Sequence, residues 1–93
     1  MDHLVLRGEW DEAGLEAALG HPRWGWETAE RGDPCPLANN GYLRTAGWGS
    51  ASACCRIFIH ADGICIRPGL DVEEDRQFCR DTFAQLQRAQ GTA

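Results

Sequence analysis

The stretch Cys54-Cys55-Arg56-Ile57-Phe58-Ile59-His60-Ala61-Asp62-Gly63-Ile64-Cys65-Ile66-Arg67, followed at once by Pro68-Gly69, reads as a β-hairpin. β-Branched residues flank Asp62-Gly63, the dipeptide that supplies the positive φ angles of a two-residue type I′ turn. Such a turn sets Ala61 opposite Ile64, His60 opposite Cys65, Ile59 opposite Ile66 and Phe58 opposite Arg67. Side chains alternate across a strand, so Cys55, Ile57, Ile59, Ile64 and Ile66 share one apolar face. Cys54, Arg56, Phe58, His60, Cys65 and Arg67 then share the other, which is read as facing outward.

Two helices bracket this hairpin. Asp11 is a good N-cap for a helix from Glu12 to about Leu19, ended by Gly20 and Pro22. Trp10 and Leu15 have the spacing of a hydrophobic staple across that start. A second helix is expected from Asp71, with Glu74 completing a capping box, to about Ala89. Val72, Cys79, Phe83 and Leu86 recur along it at helical spacing, flanked by Phe78 and Thr82, and Asp75 falls near the stripe. That stripe should pack on the isoleucine face.

The segment from Gly20 to Ser50 is rich in glycine and proline, yet too long for a structureless loop in a small domain. Arg23–Thr28 and Tyr42–Ala46 read as strands, Arg31–Gly41 as a turn-rich loop, and His3–Arg7 as an opening strand. The glycine-rich Thr45-Ala46-Gly47-Trp48-Gly49-Ser50-Ala51-Ser52 contains Gly-x-Gly but no Gly-Lys-Ser/Thr, and a strand rather than a helix start follows it, so it reads as a turn. The order β-α-β-β-β-β-α makes residues 1–93 a single α+β domain, with a mainly antiparallel sheet, a C-terminal helix on one face and a short N-terminal helix.

Charge and composition narrow the function. The 93 residues carry 14 acids against 9 cations, all of them arginine, for a net charge of −5. Residues 1–40 hold eight acids and three arginines, so the acidity is concentrated at the front. Nucleic acids and anionic membranes need a basic patch, and this balance argues against both. No apolar run spans a bilayer and no basic leader precedes the first strand, so a cytoplasmic location is expected.

The five cysteines (35, 54, 55, 65 and 79) match no secreted disulfide framework and include no Cys-x-x-Cys, which predicts free, reduced thiols. Cys54, Cys55, His60 and Cys65 are poor metal ligands as a set, because adjacent cysteines point to opposite faces of a strand and Cys54 lies far along it from His60. No metal and no cofactor is assigned. Pro34-Cys35-Pro36 reads as a rigid loop; its Cys-Pro resembles the haem-ligating motif of some regulatory proteins over two residues only.

The one catalytic candidate is His60 beside Cys65, since imidazole can activate a thiol as a nucleophile. It defines the alternative reading, a small cysteine-dependent enzyme or thiol site. The favoured reading is a non-catalytic module that binds another protein. Small, acidic, lysine-free chains of this kind resemble, in composition alone, bacterial immunity proteins and phage-borne inhibitors. Its expected binding surface is the acidic first helix with Glu9, Glu12 and Glu16, flanked by Trp24 and Trp26 at i, i+2 on one strand. The arginine-bearing hairpin face, with Arg56, Phe58 and Arg67, is the other candidate surface and would suit an acidic partner. A homodimer is compatible with either.

Overall fold

A computed structural model describes residues 3–28 and 44–91. The elements run β1 (Leu4–Arg7), α1 (Glu12–Leu19), β2 (Trp24–Thr28), β3 (Arg44–Gly49), β4 (Cys54–His60), β5 (Gly63–Pro68) and α2 (Glu73–Gly91). Neighbouring strands pair antiparallel throughout, in the order β1-β5-β4-β3-β2. The expected α+β architecture and element order are present. The loop over 31–41, with Cys35, and the first two residues of the Tyr42–Ala46 strand lie outside the described residues.

The isoleucine face is the core. Ile57 pairs with Ile66 and Ile59 with Ile64. Cys55 of β4 joins them, as do Leu6 of β1 and Ala46 and Trp48 of β3, with Leu15 of α1 and Cys79 and Leu86 of α2 closing the cluster. Each fully buried isoleucine or leucine contributes about 1.5–3 kcal/mol of apolar transfer, so this face holds the sheet and both helices together.

The hairpin register differs from expectation by two residues. His60 pairs with Gly63, Ile59 with Ile64 and Phe58 with Cys65, so Ala61 and Asp62 make the turn. A shift of two leaves every side chain on its expected face. Gly63 is not a turn residue with positive φ; it serves the neighbouring strand. A Cβ there would meet the Leu6 carbonyl oxygen at 2.5 Å and the Arg7 Cα at 2.9 Å. Glycine is required because β1 passes at close range, with the Gly8 amide donating to the Asp62 carbonyl at 3.0 Å.

β3 extends through Gly49, so the glycine-rich Gly47-Trp48-Gly49 is strand and not turn. Trp48 is buried in the core, and its Nε1–H donates to the Gly20 carbonyl at 3.0 Å, tying the end of α1 to the sheet. Gly47 lies beneath the Trp24 ring, which occupies the position a Cβ would take.

α1 starts as expected, with Asp11 Oδ1 accepting from the Gly14 amide at 2.7 Å. α2 does not. Its first turn closes when the Arg76 amide donates to the Val72 carbonyl at 3.0 Å, one residue beyond the expected cap. Asp71 is drawn away to Arg76, whose Nη1 lies 2.6 Å from its carboxylate. The buried stripe is Asp75, Cys79, Thr82 and Leu86. Phe83 is half-buried and packs against the edge of the core, while Val72 is exposed and does not anchor the helix as expected.

Candidate functional site

The hairpin face opposite the helices is not an open surface. Phe58, His60 and Cys65 are 1%, 3% and 0% exposed, which corrects the outward-facing assignment. The Arg67 guanidinium lies over the Phe58 ring, 5.0 Å from its centroid. Arg56 Nη1 donates to Thr45 Oγ1 at 3.4 Å and lies 3.6 Å from Glu27 Oε2. Both arginines are half-buried and partnered, and Phe58 is not available as a surface anchor.

Cys65 is disulfide-bonded. That corrects the expectation of five reduced thiols and removes the nucleophile from the His60–Cys65 pair, whose members are also not directly opposed. Cys54, Cys55 and Cys79 are free. Among the described residues no group of three or more His, Cys, Asp or Glu side chains is placed to hold a metal, and no helix is long and apolar enough to cross a membrane.

The free thiols have a structural setting. Burial pushes Cys55 up to about 12, against the hydrogen bond it shares with Thr82, and pushes Cys79 up to about 11. An unfolded chain sheds these protons near 9.0 while the folded chain keeps them. Stability is therefore undiminished below pH 9 and falls above it, by up to ~1.4 kcal/mol per pH unit for each buried thiol. Urea unfolding should show a lower midpoint at pH 10 than at pH 8, and Cys79→Ala should narrow that gap. An equal gap in the variant would mean that Cys79 does not titrate as a buried group.

Cys54 begins β4 beside Asp75, the buried acid of α2. The Asp75 carboxylate accepts from the Cys54 amide at 2.9 Å, the Leu70 amide at 2.7 Å and the Cys54 thiol at 3.7 Å. Burial raises the Cys54 pKa first, and the Asp75 charge and hydrogen bond raise it further, with Arg56 and Arg23 pulling the other way. This clamp joins β4, the loop after β5 and α2.

The acids of α1 are only partly free. Glu12 Oε1 lies 2.7 Å from Arg44 Nε, and Glu16 Oε1 lies 2.9 Å from His21 Nδ1. Glu9 is exposed and has no partner among the described residues. The two tryptophans expected to flank these acids do not meet them as a pair. The register between β2 and β3 slips between Trp24 and Glu27, and this bulge sends Trp24 and Trp26 to opposite faces. Trp26 packs edge-on against Trp48, with centroids 5.5 Å apart, on the helix side. Trp24 lies over Gly47 on the other side, where the Arg23 guanidinium covers its ring at 5.3 Å.

The aromatic that does accompany the acids is Trp10. A groove of about 720 Å³ separates the start of α1 from the end of α2, lined by Glu9, Trp10, Asp11 and Gly14 with Ala17, Ala89 and Gln90. A second cleft of about 440 Å³ lies near the end of α1, where His21, Arg23 and Asp81 bring charges of both signs. Trp10 was legible in the sequence as half of a staple, a role that places its indole beside the helix start. Asp75 was legible as an acid four residues before Cys79, a position a core stripe tolerates only when the acid is hydrogen-bonded. No family model, curated protein or solved structure matches the chain.

Proposed function

We propose that this chain is a non-catalytic module that binds another protein through the edge formed by α1, acting by occupying its partner's surface as an inhibitor or immunity factor does. The observation that supports this is the groove beside α1, an indole and small side chains bordered by the carboxylates of Glu9 and Asp11. Apolar area with a charged border suits a protein interface, where an aromatic anchor supplies affinity and the surrounding charge speeds encounter. The net charge of −5 favours a basic partner.

Glu12 and Glu16 lie along the same helix but outside the groove, so they test the surface without altering the pocket. Glu12→Arg with Glu16→Arg should leave the melting transition within a few degrees of the parent. It should also deplete the partner captured from the native host, measured by mass spectrometry, and slow association with the purified partner. Association whose rate and salt dependence are unchanged would overturn the assignment to α1. Turnover of a co-purifying small molecule, with no enriched protein, would overturn the binding reading itself.

A further inference from the structure

We infer that the groove between α1 and α2 receives an arginine side chain from a basic segment of the partner protein, a deepening that rests on the binding reading above. Three features of the groove share one electrostatic sense. Glu9 and Asp11 place two carboxylates on its border, and none of the described residues lining it is cationic. Ala89 and Gln90 belong to the last turn of α2, whose carbonyl ends carry the negative pole of the helix. Trp10 contributes an indole, the ring that attracts cations most strongly.

The opposing features are local. The start of α1 carries the positive pole of a shorter helix, and Asp11 already meets the Gly14 amide there. Arg88 is on the last turn of α2 but does not line the groove. Gln90 is held in place, its Nε2 donating to the Arg7 carbonyl at 2.7 Å, so that wall is fixed by the edge of the sheet.

Arginine fits this arrangement better than lysine. Its guanidinium is planar, stacks on an indole and offers a fork of donors to two carboxylates, while an ammonium is a compact, strongly hydrated charge. The Trp10 Nε1–H is buried with no hydrogen-bond partner among the described residues. It provides a resolved reporter beside the groove.

The test is a titration followed by amide and indole NMR. The probe is a nine-residue arginine–glycine peptide, with its citrulline counterpart as the uncharged control. The arginine peptide should saturably shift Trp10 Nε1–H, Gly14, Ala17 and Ala89, and the citrulline peptide should leave them in place. Glu9→Gln with Asp11→Asn removes both charges while keeping a good N-cap at position 11. It should weaken binding about threefold to tenfold, the range for two exposed ion pairs. Absent shifts, shifts mapping elsewhere, or unchanged affinity in the double variant would each overturn the proposal. Self-association of the free chain abolished by the same variant would assign the groove to a second copy and overturn it too. If Glu12→Arg with Glu16→Arg still impairs partner binding while the peptide fails, the α1 reading stands and only the arginine pocket falls.

Discussion

Leu86→Ala should destabilise the protein by about 2–5 kcal/mol, the range for truncating a fully buried leucine. Leu86 is 0% exposed and belongs to the cluster that packs α2 against the sheet. A loss of that size is a large share of the roughly 5–15 kcal/mol that holds a domain together. Urea unfolding should show a reduced midpoint with little change in slope. Phe83→Ala should cost less, because Phe83 is half-buried. Val72 is 41% exposed, and Val72→Ala should stay within about 0.5 kcal/mol. A larger loss at Phe83 than at Leu86 would mean that α2 is rotated about its axis away from the buried face of Cys79, Thr82 and Leu86.

Asp75→Ala should rival that effect through a different mechanism. It strips the acceptor from the Cys54 and Leu70 amides and from the Cys54 thiol. A buried donor left without a partner costs about 1–3 kcal/mol; both amides are only partly buried and Leu70 is 66% exposed, so the loss should fall in the lower part of the summed range, about 2–3 kcal/mol in all. Asp75→Asn should recover only part of this, because a carboxamide offers one acceptor oxygen and sets an NH2 group against the other donor. A second readout separates the clamp from general packing. Asp75→Asn removes the negative charge that helps hold Cys54 in its neutral form. The Cys54 thiol should then be alkylated faster near pH 8 in the folded variant. Unchanged alkylation in a folded, destabilised variant would show that Asp75 acts on the backbone alone.

Glu12 is paired with Arg44 and Glu16 is hydrogen-bonded to His21, so the carboxylates beside Trp10 are those at the start of the helix, Glu9 and Asp11. A partner approaching this edge would meet carboxylates beside Trp10, and would not meet Trp24, which is on the opposite face of the sheet.

Periodicity alone determined a good deal about this protein. Alternation over Cys54–Arg67 placed four isoleucines on one face, and that assignment survived a two-residue change in pairing because faces repeat every second residue. Asp11 and Gly20 marked the ends of α1 because caps are local chemistry, settled within one turn of the helix. The single α+β domain and the order of its elements followed from the same short-range signals.

Tertiary structure decided everything that depends on a distant segment. The pairing of the hairpin follows the close approach of β1, which needs a glycine at position 63. The faces of Trp24 and Trp26 follow a bulge against β3 that no pattern within β2 announces. Asp75 is buried because Cys54 and Leu70, from 21 and 5 residues away, bring their amides to it. The groove at Trp10 exists because the last turn of α2 comes to rest beside the first turn of α1. Local sequence sets backbone preference and the side of an element that turns inward, but which groups meet across the fold is set by packing between segments.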